Sequence, residues 1–237
     1  MGNMQLLPTP DSRLQTHASR LTILYLAYFM EIISATYIIS SPSYDKCPKP
    51  NKPEYAFIGR SNVGKSSLIN MLCNIHKLAK TSGSPGKTQL INHFEIVSDD
   101  KQHWYIVDLP GFGFAKVSAS IRSQWEKMIQ DYLRKRETLM NIFLLIDSRL
   151  SPQKLDIEFV NRLGKWKVPF ALVFTKSDKN TQKDTARHVK DFLEKIKKDW
   201  EELPPYFVTS ATKKNGRKAI LDHIKELNQI AKNNPTK

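Results

Sequence analysis

Gly59-Arg-Ser-Asn-Val-Gly64-Lys65-Ser66 limits what this chain can fold into more than any other segment. The spacing GxxxxGKS belongs between a strand and a helix, and the buried-strand pattern Tyr55-Ala-Phe-Ile58 stands directly before it. Gly59 and Gly64 permit backbone angles closed to other residues. The amide hydrogens of the loop, through Arg60, Ser61, Asn62 and Val63, then converge on phosphate oxygens, helped by the positive end of the following helix. Lys65 offers a point charge to β- and γ-phosphates. The Ser66 hydroxyl is small and hard enough to ligate Mg²⁺. The bland alternative, a glycine turn with a chance lysine, is weakened by the flanking strand and helix.

Short apolar runs alternate with helical patterns through the rest of the chain. Ile91–Val97 and His103–Val107 predict two strands joined in a hairpin across residues 98–101. Residues 142–146, 170–174 and 206–208 predict three more buried strands. Val189, Phe192, Leu193, Ile196 and Trp200 share a helix face, as do Ile220, Ile224, Leu227 and Ile230. Ser118 is placed to cap a helix reaching about Arg136, and Leu155, Phe159 and Leu163 suggest another. This alternation predicts a three-layer α/β fold: a six-stranded, mostly parallel sheet with one antiparallel strand and helices on both faces. Ligands in such folds sit at the carboxyl ends of strands, so the chemistry should follow Ile58, Val107, Phe174 and Val208.

Each of those ends carries a motif. Asp108-Leu109-Pro110-Gly111 offers a carboxylate that can hold a metal through water and an amide that can sense a γ-phosphate. Alone it is a turn; about 45 residues after the phosphate loop it gains weight. Thr175-Lys176-Ser177-Asp178 offers a carboxylate able to accept both N1–H and the exocyclic amine of guanine, a donor pair adenine lacks. The aliphatic stem of Lys176 can cover the base, whereas the plain reading makes Asp178 a helix cap. Thr209-Ser210-Ala211 is small enough to let backbone approach the guanine carbonyl, and is the least specific of the set.

The net charge is +14, and residues 59–237 hold +13 of it. The field belongs to the body rather than a basic tail, which favours a polyanion, RNA first and an anionic membrane surface second, with solubility alone as the plain alternative. Two cysteines, Cys47 and Cys73, with no CxxC, support neither a disulfide scaffold nor a zinc site. The longest apolar run, Leu21–Met30, has ten residues where a membrane span needs about 20. Arg13 and Arg20 before it faintly imitate a secretory signal, but Ser34-Ala-Thr36 is a poor cleavage site; Met30 as the real start is a further possibility.

In this order the motifs resemble a translation-factor-type P-loop GTPase. Gly59–Asn70, Pro85-Gly-Lys-Thr-Gln89, Asp108-Leu-Pro-Gly-Phe-Gly-Phe-Ala-Lys116 and Thr175–Asp178 resemble the EngB family, over roughly residues 31–230. The resemblance implies a P-loop NTPase G domain over residues 53–232. An extension (1–30), an irregular lead-in with a short strand (31–52) and a disordered tail (233–237) would flank it. It implies a cytoplasmic bacterial GTPase using GTP/GDP and Mg²⁺, with the large ribosomal subunit or its precursor as partner through rRNA. It also implies a traditional association with normal cell division and septation. A monomer is expected, without DNA and without stable membrane insertion. Carried over by position, Gly86, Lys87, Thr88, Gln89 and Leu90 form the first switch, and Thr88 completes with Ser66 the protein's share of the metal shell. Lys65, Thr88, Gly111 and Asn62 are the residues expected at the reacting phosphate, Asn62 through K⁺.

One departure matters. Phe112 follows Gly111 where Ras-like enzymes place a glutamine, so intrinsic hydrolysis should be slow. Phe112 and Phe114 either tuck into the core or dock on a partner. Arg134, Lys135, Arg136, Arg162, Lys165, Lys167, Lys213, Lys214, Arg217 and Lys218 are either RNA contacts or a solvated face. The competing functions are a nucleotide-gated binding module with negligible turnover, a membrane or division-site GTPase recruited by residues 21–30, and, least favoured, a P-loop kinase or ATPase. Secretion would strand the site without nucleotide.

Overall fold

The computed structural model describes residues 30–80, 90–113 and 118–233. Among these residues seven strands form one sheet: β1 (Ile32–Ser41), β2 (Glu54–Gly59), β3 (Ile91–Ser98), β4 (His103–Asp108), β5 (Leu139–Asp147), β6 (Phe170–Thr175) and β7 (Tyr206–Val208). Their order is β1-β3-β4-β2-β5-β6-β7. β2 pairs in parallel with β4 and β5, and β6 with β5 and β7. β3 alone is reversed, antiparallel to both β1 and β4.

The sheet has seven strands where six were expected. The seventh is β1, ten residues long rather than a short strand in an irregular lead-in. Its Ile32-Ile-Ser-Ala-Thr-Tyr-Ile-Ile sequence is rich in β-branched residues but lacks alternation, and the prolines that punctuate the lead-in begin only at Pro42. The β3–β4 hairpin closes at the expected place, with the Lys101 amide donating to the Ser98 carbonyl at 2.8 Å.

Among the described residues five α-helices cover the sheet: α1 (Lys65–Cys73), α2 (Ala119–Lys135), α3 (Lys154–Trp166), α4 (Gln182–Ile196) and α5 (Arg217–Asn233). The period of a strand divides β2 between two cores. Ala56 and Ile58 pack with Met128, Ile129, Phe159, Leu163, Val189 and Phe192 of α2, α3 and α4. Tyr55 and Phe57 pack with Leu68, Leu72, Ile220 and Ile224 of α1 and α5. With both faces buried, the strand reads as a continuous apolar run. Helix starts follow local chemistry: Ser118 Oγ accepts from the Ile121 amide, and Thr181 Oγ1 accepts from the Asp184 amide.

At the amino end of β2 lies one fully buried carboxylate. Glu54 accepts from Arg136 through Nε and Nη2, from Tyr132 Oη at 2.5 Å and from Thr138 Oγ1 at 2.8 Å, with His93 Nε2 at 3.5 Å. Arg136 Nη2 also reaches the Pro48 carbonyl at 2.6 Å. The network ties the end of α2 to β2 and to the lead-in. Burial pushes Glu54 upward in pKa, but the nearby His93 ring and the hydrogen bonds from Arg136 and Tyr132 prevail and hold it at about 2. Among the described residues no helix is long and apolar enough to cross a membrane; residues 1–29, with most of the apolar run, and the tail from 234 lie outside them.

Candidate functional site

β2 ends at Gly59 because nothing larger fits. A Cβ there would stand 2.7 Å from the Leu145 carbonyl oxygen on β5. The chain then turns through Asn62, at φ 62°, and Gly64, at φ 106°, into α1. Gly64 is the N-cap, so the first free amides of α1 face the carboxyl end of the sheet. Within the loop the Ser61 hydroxyl is buried and has no hydrogen-bond partner among the described residues. Lys65, the first helical residue, is almost wholly buried and its ammonium sits on Asp108 at the end of β4. Phosphate loop and Asp108 motif therefore meet through opposite charges.

The rest of that motif lies across the loop. The Phe112 amide donates to the Gly59 carbonyl at 3.1 Å, and a Cβ on Gly111 would be 3.0 Å from the same oxygen. Leu109 is buried, and its amide donates to the Phe57 carbonyl. The Phe112 ring stacks on Phe159 of α3, 4.4 Å between centroids and 4° from parallel. It is tucked inward, and Phe114 lies outside the described residues. Nearby, Arg60 Nε donates to both oxygens of Asp156, at 3.0 and 3.1 Å. Arg60 is thus committed to α3.

Asp156 is fully buried. Burial outweighs the Arg60 guanidinium, the negative charge of Asp147 adds to it, and the carboxyl is pushed up to about 6. A carboxyl raised above its ordinary 3.8 opposes folding when ionised. That opposition is fully present above pH 6 and fades as pH falls toward 3.8, an effect of up to about 3 kcal/mol. Asp156→Asn should remove this component: urea denaturation of variant minus wild type will show a difference in unfolding free energy that changes between pH 6.5 and 4. A difference independent of pH would refute the assignment.

The segments Thr175–Asp178 and Thr209–Ala211 close the other side. Thr175 Oγ1 donates to the Val63 carbonyl at 2.6 Å. Lys176, at φ 62°, donates to the Asn62 carbonyl at 2.6 Å and to Asp147 Oδ2 at 2.9 Å, and its Cε lies 3.7 Å from where a Gly64 Cβ would stand. Its stem thus runs along the phosphate loop. Asp178 is no helix cap; it sits in the 3₁₀ turn Ser177–Lys179, and Thr181 caps α4. Ser210 Oγ donates to Asp178 Oδ1 at 2.7 Å, which holds the carboxyl below its ordinary pKa, with Lys179 and Lys213 helping. The Ser177 amide donates to the Thr209 carbonyl, joining the two segments. Gly64, Lys176, Asp178, Thr209 and Ala211 line a cavity of about 170 Å³, together with Ser67, Leu68, Thr175, Lys179 and Thr212.

The structure therefore brings together Gly59–Ser66, Asp108–Gly111, Thr175–Asp178 and Thr209–Ala211. Leu90 stands exposed just before β3, and Gly86, Lys87, Thr88 and Gln89 lie outside the described residues. Ser66 follows Lys65, whose ammonium pairs with Asp108, and a hydroxyl with a carboxylate is a donor set that fits a hard divalent cation sharing phosphate ligands. Asp147 escaped the sequence reading, although it ends β5 as Asp108 ends β4, and the strand-end rule applies equally to both. Its carboxyl is held at about 2: burial raises it, but bonds from Arg149 and Lys176 dominate. Asp156 had no local signal, since its partner is 96 positions away. Of the candidate RNA contacts, Arg136 is withdrawn: it is buried on Glu54.

Residues 54–176 match a family model described as a 50S ribosome-binding GTPase. A probable GTP-binding protein EngB of Phocaeicola vulgatus is 52% identical over 203 residues, 86% of this chain and 100% of the relative. That of Flavobacterium psychrophilum is 52% identical over 201 residues, 84% of this chain and 96% of the relative. Among solved structures, a probable GTP-binding protein engB aligns with TM-score 0.56 at 22% identity, over 74% of this chain and 98% of that one. A point variant of Era from Aquifex aeolicus, bound to GDP.AlF4-, aligns with TM-score 0.62 at 23% identity, over 75% of this chain and 57% of that one. These structures share the fold.

Proposed function

We propose, from the premise that the chain belongs to the EngB family of GTP-binding proteins and is a GTPase, that it acts as a guanine-nucleotide switch in assembly of the large ribosomal subunit. The observation that carries the nucleotide reading is the Ser210–Asp178 bond beside a cavity whose other wall is the phosphate loop. Base and phosphate sites are one rigid unit, because Thr175 and Lys176 are bonded to Val63 and Asn62. The ribosomal step is supported by the positive field of the body and by the description of the matching family. Cytoplasmic residence follows from the need for GTP. An effect on septation follows from ribosome supply.

On GTP binding, Lys65 exchanges Asp108 for β- and γ-phosphate oxygens. Ser66, with Thr88 from the first switch, would hold Mg²⁺, and Asp108 would bond to its waters; bound there, Mg²⁺ would supply positive charge against the charge that develops on the phosphates. Gly111, packed against the Gly59 carbonyl, registers the γ-phosphate, and the amide of Phe112 carries that contact into the following loop. Phe112 cannot orient water, so the unstimulated rate is slow. Its stacking on Phe159 favours a second reading, a clamp with negligible turnover.

Calorimetry tests the nucleotide step: guanosine nucleotides should bind at least about a hundredfold more tightly than adenosine nucleotides, and equal affinities would refute it. Turnover with and without large subunits, in K⁺ and in Na⁺, tests the rest. Stimulation by subunits supports the assembly reading, and a K⁺ requirement supports the role of Asn62. Turnover indifferent to subunits leaves the clamp.

A further inference from the structure

We infer that two adjoining turns, residues 74–80 after α1 and residues 212–214 before α5, form the surface that grips an RNA phosphate backbone; this rests on the ribosomal reading and names the face that carries it. Local charge balance singles the face out. On α2, Lys127 and Lys135 both bridge Asp131. On α3, Lys154 meets Glu158, and Lys165 lines a cleft with Asp199, Glu201 and Glu202. On α4, Arg187 pairs with Asp184 and Lys190 with Glu194. On α5, Arg217 is held by Glu31 and Lys218 by Asp222. His76, Lys77, Lys80, Lys213 and Lys214 differ in that neither of their turns contains an Asp or Glu: all five are exposed without an ion pair to another described residue, whereas Arg134, Lys183, Lys195, Lys197 and Lys198, exposed and unpaired among the described residues as well, each have an Asp or Glu within three positions.

Two asparagines one helical turn apart hold these turns side by side. Asn70 clasps Ala79 with both ends of its amide, at 3.0 and 2.7 Å. Asn74 Oδ1 accepts from Lys214 Nζ at 2.8 Å. A rise of about 5.4 Å per turn therefore separates the anchor of the Lys80 side from that of the Lys214 side. Apolar neighbours are turned inward: Ile75 and Leu78 pack on the core, and none of the large exposed hydrophobic residues falls in either turn. A protein partner or a membrane surface needs apolar anchors; a phosphate backbone needs charge alone. The face also touches the base site. The Lys213 amide donates to Ser210 Oγ at 3.0 Å, the same hydroxyl that bonds Asp178.

The test compares two charge-matched variants of the full chain: K77E/K80E/K213E/K214E, and K183E/K190E/K195E/K198E on and just after α4. Binding to purified large subunits and to deproteinised large-subunit rRNA is measured from 50 to 400 mM salt, with thermal melts to check folding. The first variant should lower the slope of log affinity against log salt by about three and weaken binding at least about a hundredfold at low salt. The second should change the slope by less than about one. K77E/K80E alone, away from the base loop, should give about half the first effect. Equal losses in both sets, or a larger loss from the α4 set, would overturn the assignment and leave the ribosomal reading standing. So would wild-type binding to subunits but not to bare rRNA, which would make the contact a protein. Wild type that binds neither overturns both.

Discussion

Asp178→Asn will weaken GTP and GDP binding by at least about a hundredfold and raise affinity for xanthosine nucleotides. The carboxylate is nearly buried and ionised, held by the Ser210 hydroxyl at 2.7 Å with Lys179 at 3.8 Å. It offers acceptors only, which match N1–H and the 2-amino group of guanine. An asparagine keeps one acceptor and replaces the other with a donor. Against guanine that donor meets the 2-amino group, leaving two buried groups unpaired, the condition under which a hydrogen-bonding site rejects a ligand most strongly. Against xanthine the same donor meets a carbonyl. Ser210 can turn its hydroxyl to accept from the new amide, so the fold should be untouched. Titration with GDP, XDP and ADP, alongside thermal melts, decides the matter. Unchanged GDP affinity in a folded variant would mean that Asp178 does not read the base, and the nucleotide assignment would fall with it.

How much of this was legible beforehand depends on how local each feature is. The phosphate loop was visible because its glycines answer a local demand: Gly59 must admit the Leu145 carbonyl, and Gly64 must reach φ 106°. The strand-end rule located Asp108, Asp178 and Ser210, since a parallel sheet delivers every such end to one edge. β1 was undervalued because an edge strand with apolar residues on both sides has no period to detect; Ile33, Tyr37, Ile38 and Ile39 are all exposed. The aliphatic stem of Lys176 is the part expected over the base; the bonds of its ammonium to the Asn62 carbonyl and Asp147, 114 and 29 positions away, have no local signal. The Arg60–Asp156 pair and the Glu54–Tyr132 contact were invisible for the same reason. Each joins segments at least 78 residues apart, and a buried ion pair leaves no trace in hydropathy beyond one charge in an apolar run.

Glu54 is such a charge, and it supports the largest expected effect on stability. Glu54→Ala will cost about 3–5 kcal/mol of a total that for a domain of this kind is about 5–15 kcal/mol. The variant leaves Arg136, whose side chain is 6% exposed, as a buried cation without a counterion, and it orphans the hydroxyls of Tyr132 and Thr138. Glu54→Gln keeps the shape and some of the hydrogen bonds, so its loss should be smaller, but the pH response should vanish. The native carboxyl sits at about 2 against an ordinary 4.5. A depressed carboxyl contributes stability that is whole above pH 4.5 and is lost as pH falls through 2, here about 3 kcal/mol over the window. Asp156 acts in the opposite sense at higher pH, so the difference between wild type and Glu54→Gln isolates the lower window. Urea denaturation at pH 7, 4.5 and 3 reads it: the two proteins should converge as the solution is acidified. Nucleotide affinity at 25 °C should survive in the folded fraction of both variants. Glu54 stands at the opposite end of β2 from Gly59, about 16 Å away at the rise of a strand. Parallel curves of unfolding free energy against pH for wild type and Glu54→Gln would show that this carboxylate is not the buried anion that secures the end of α2.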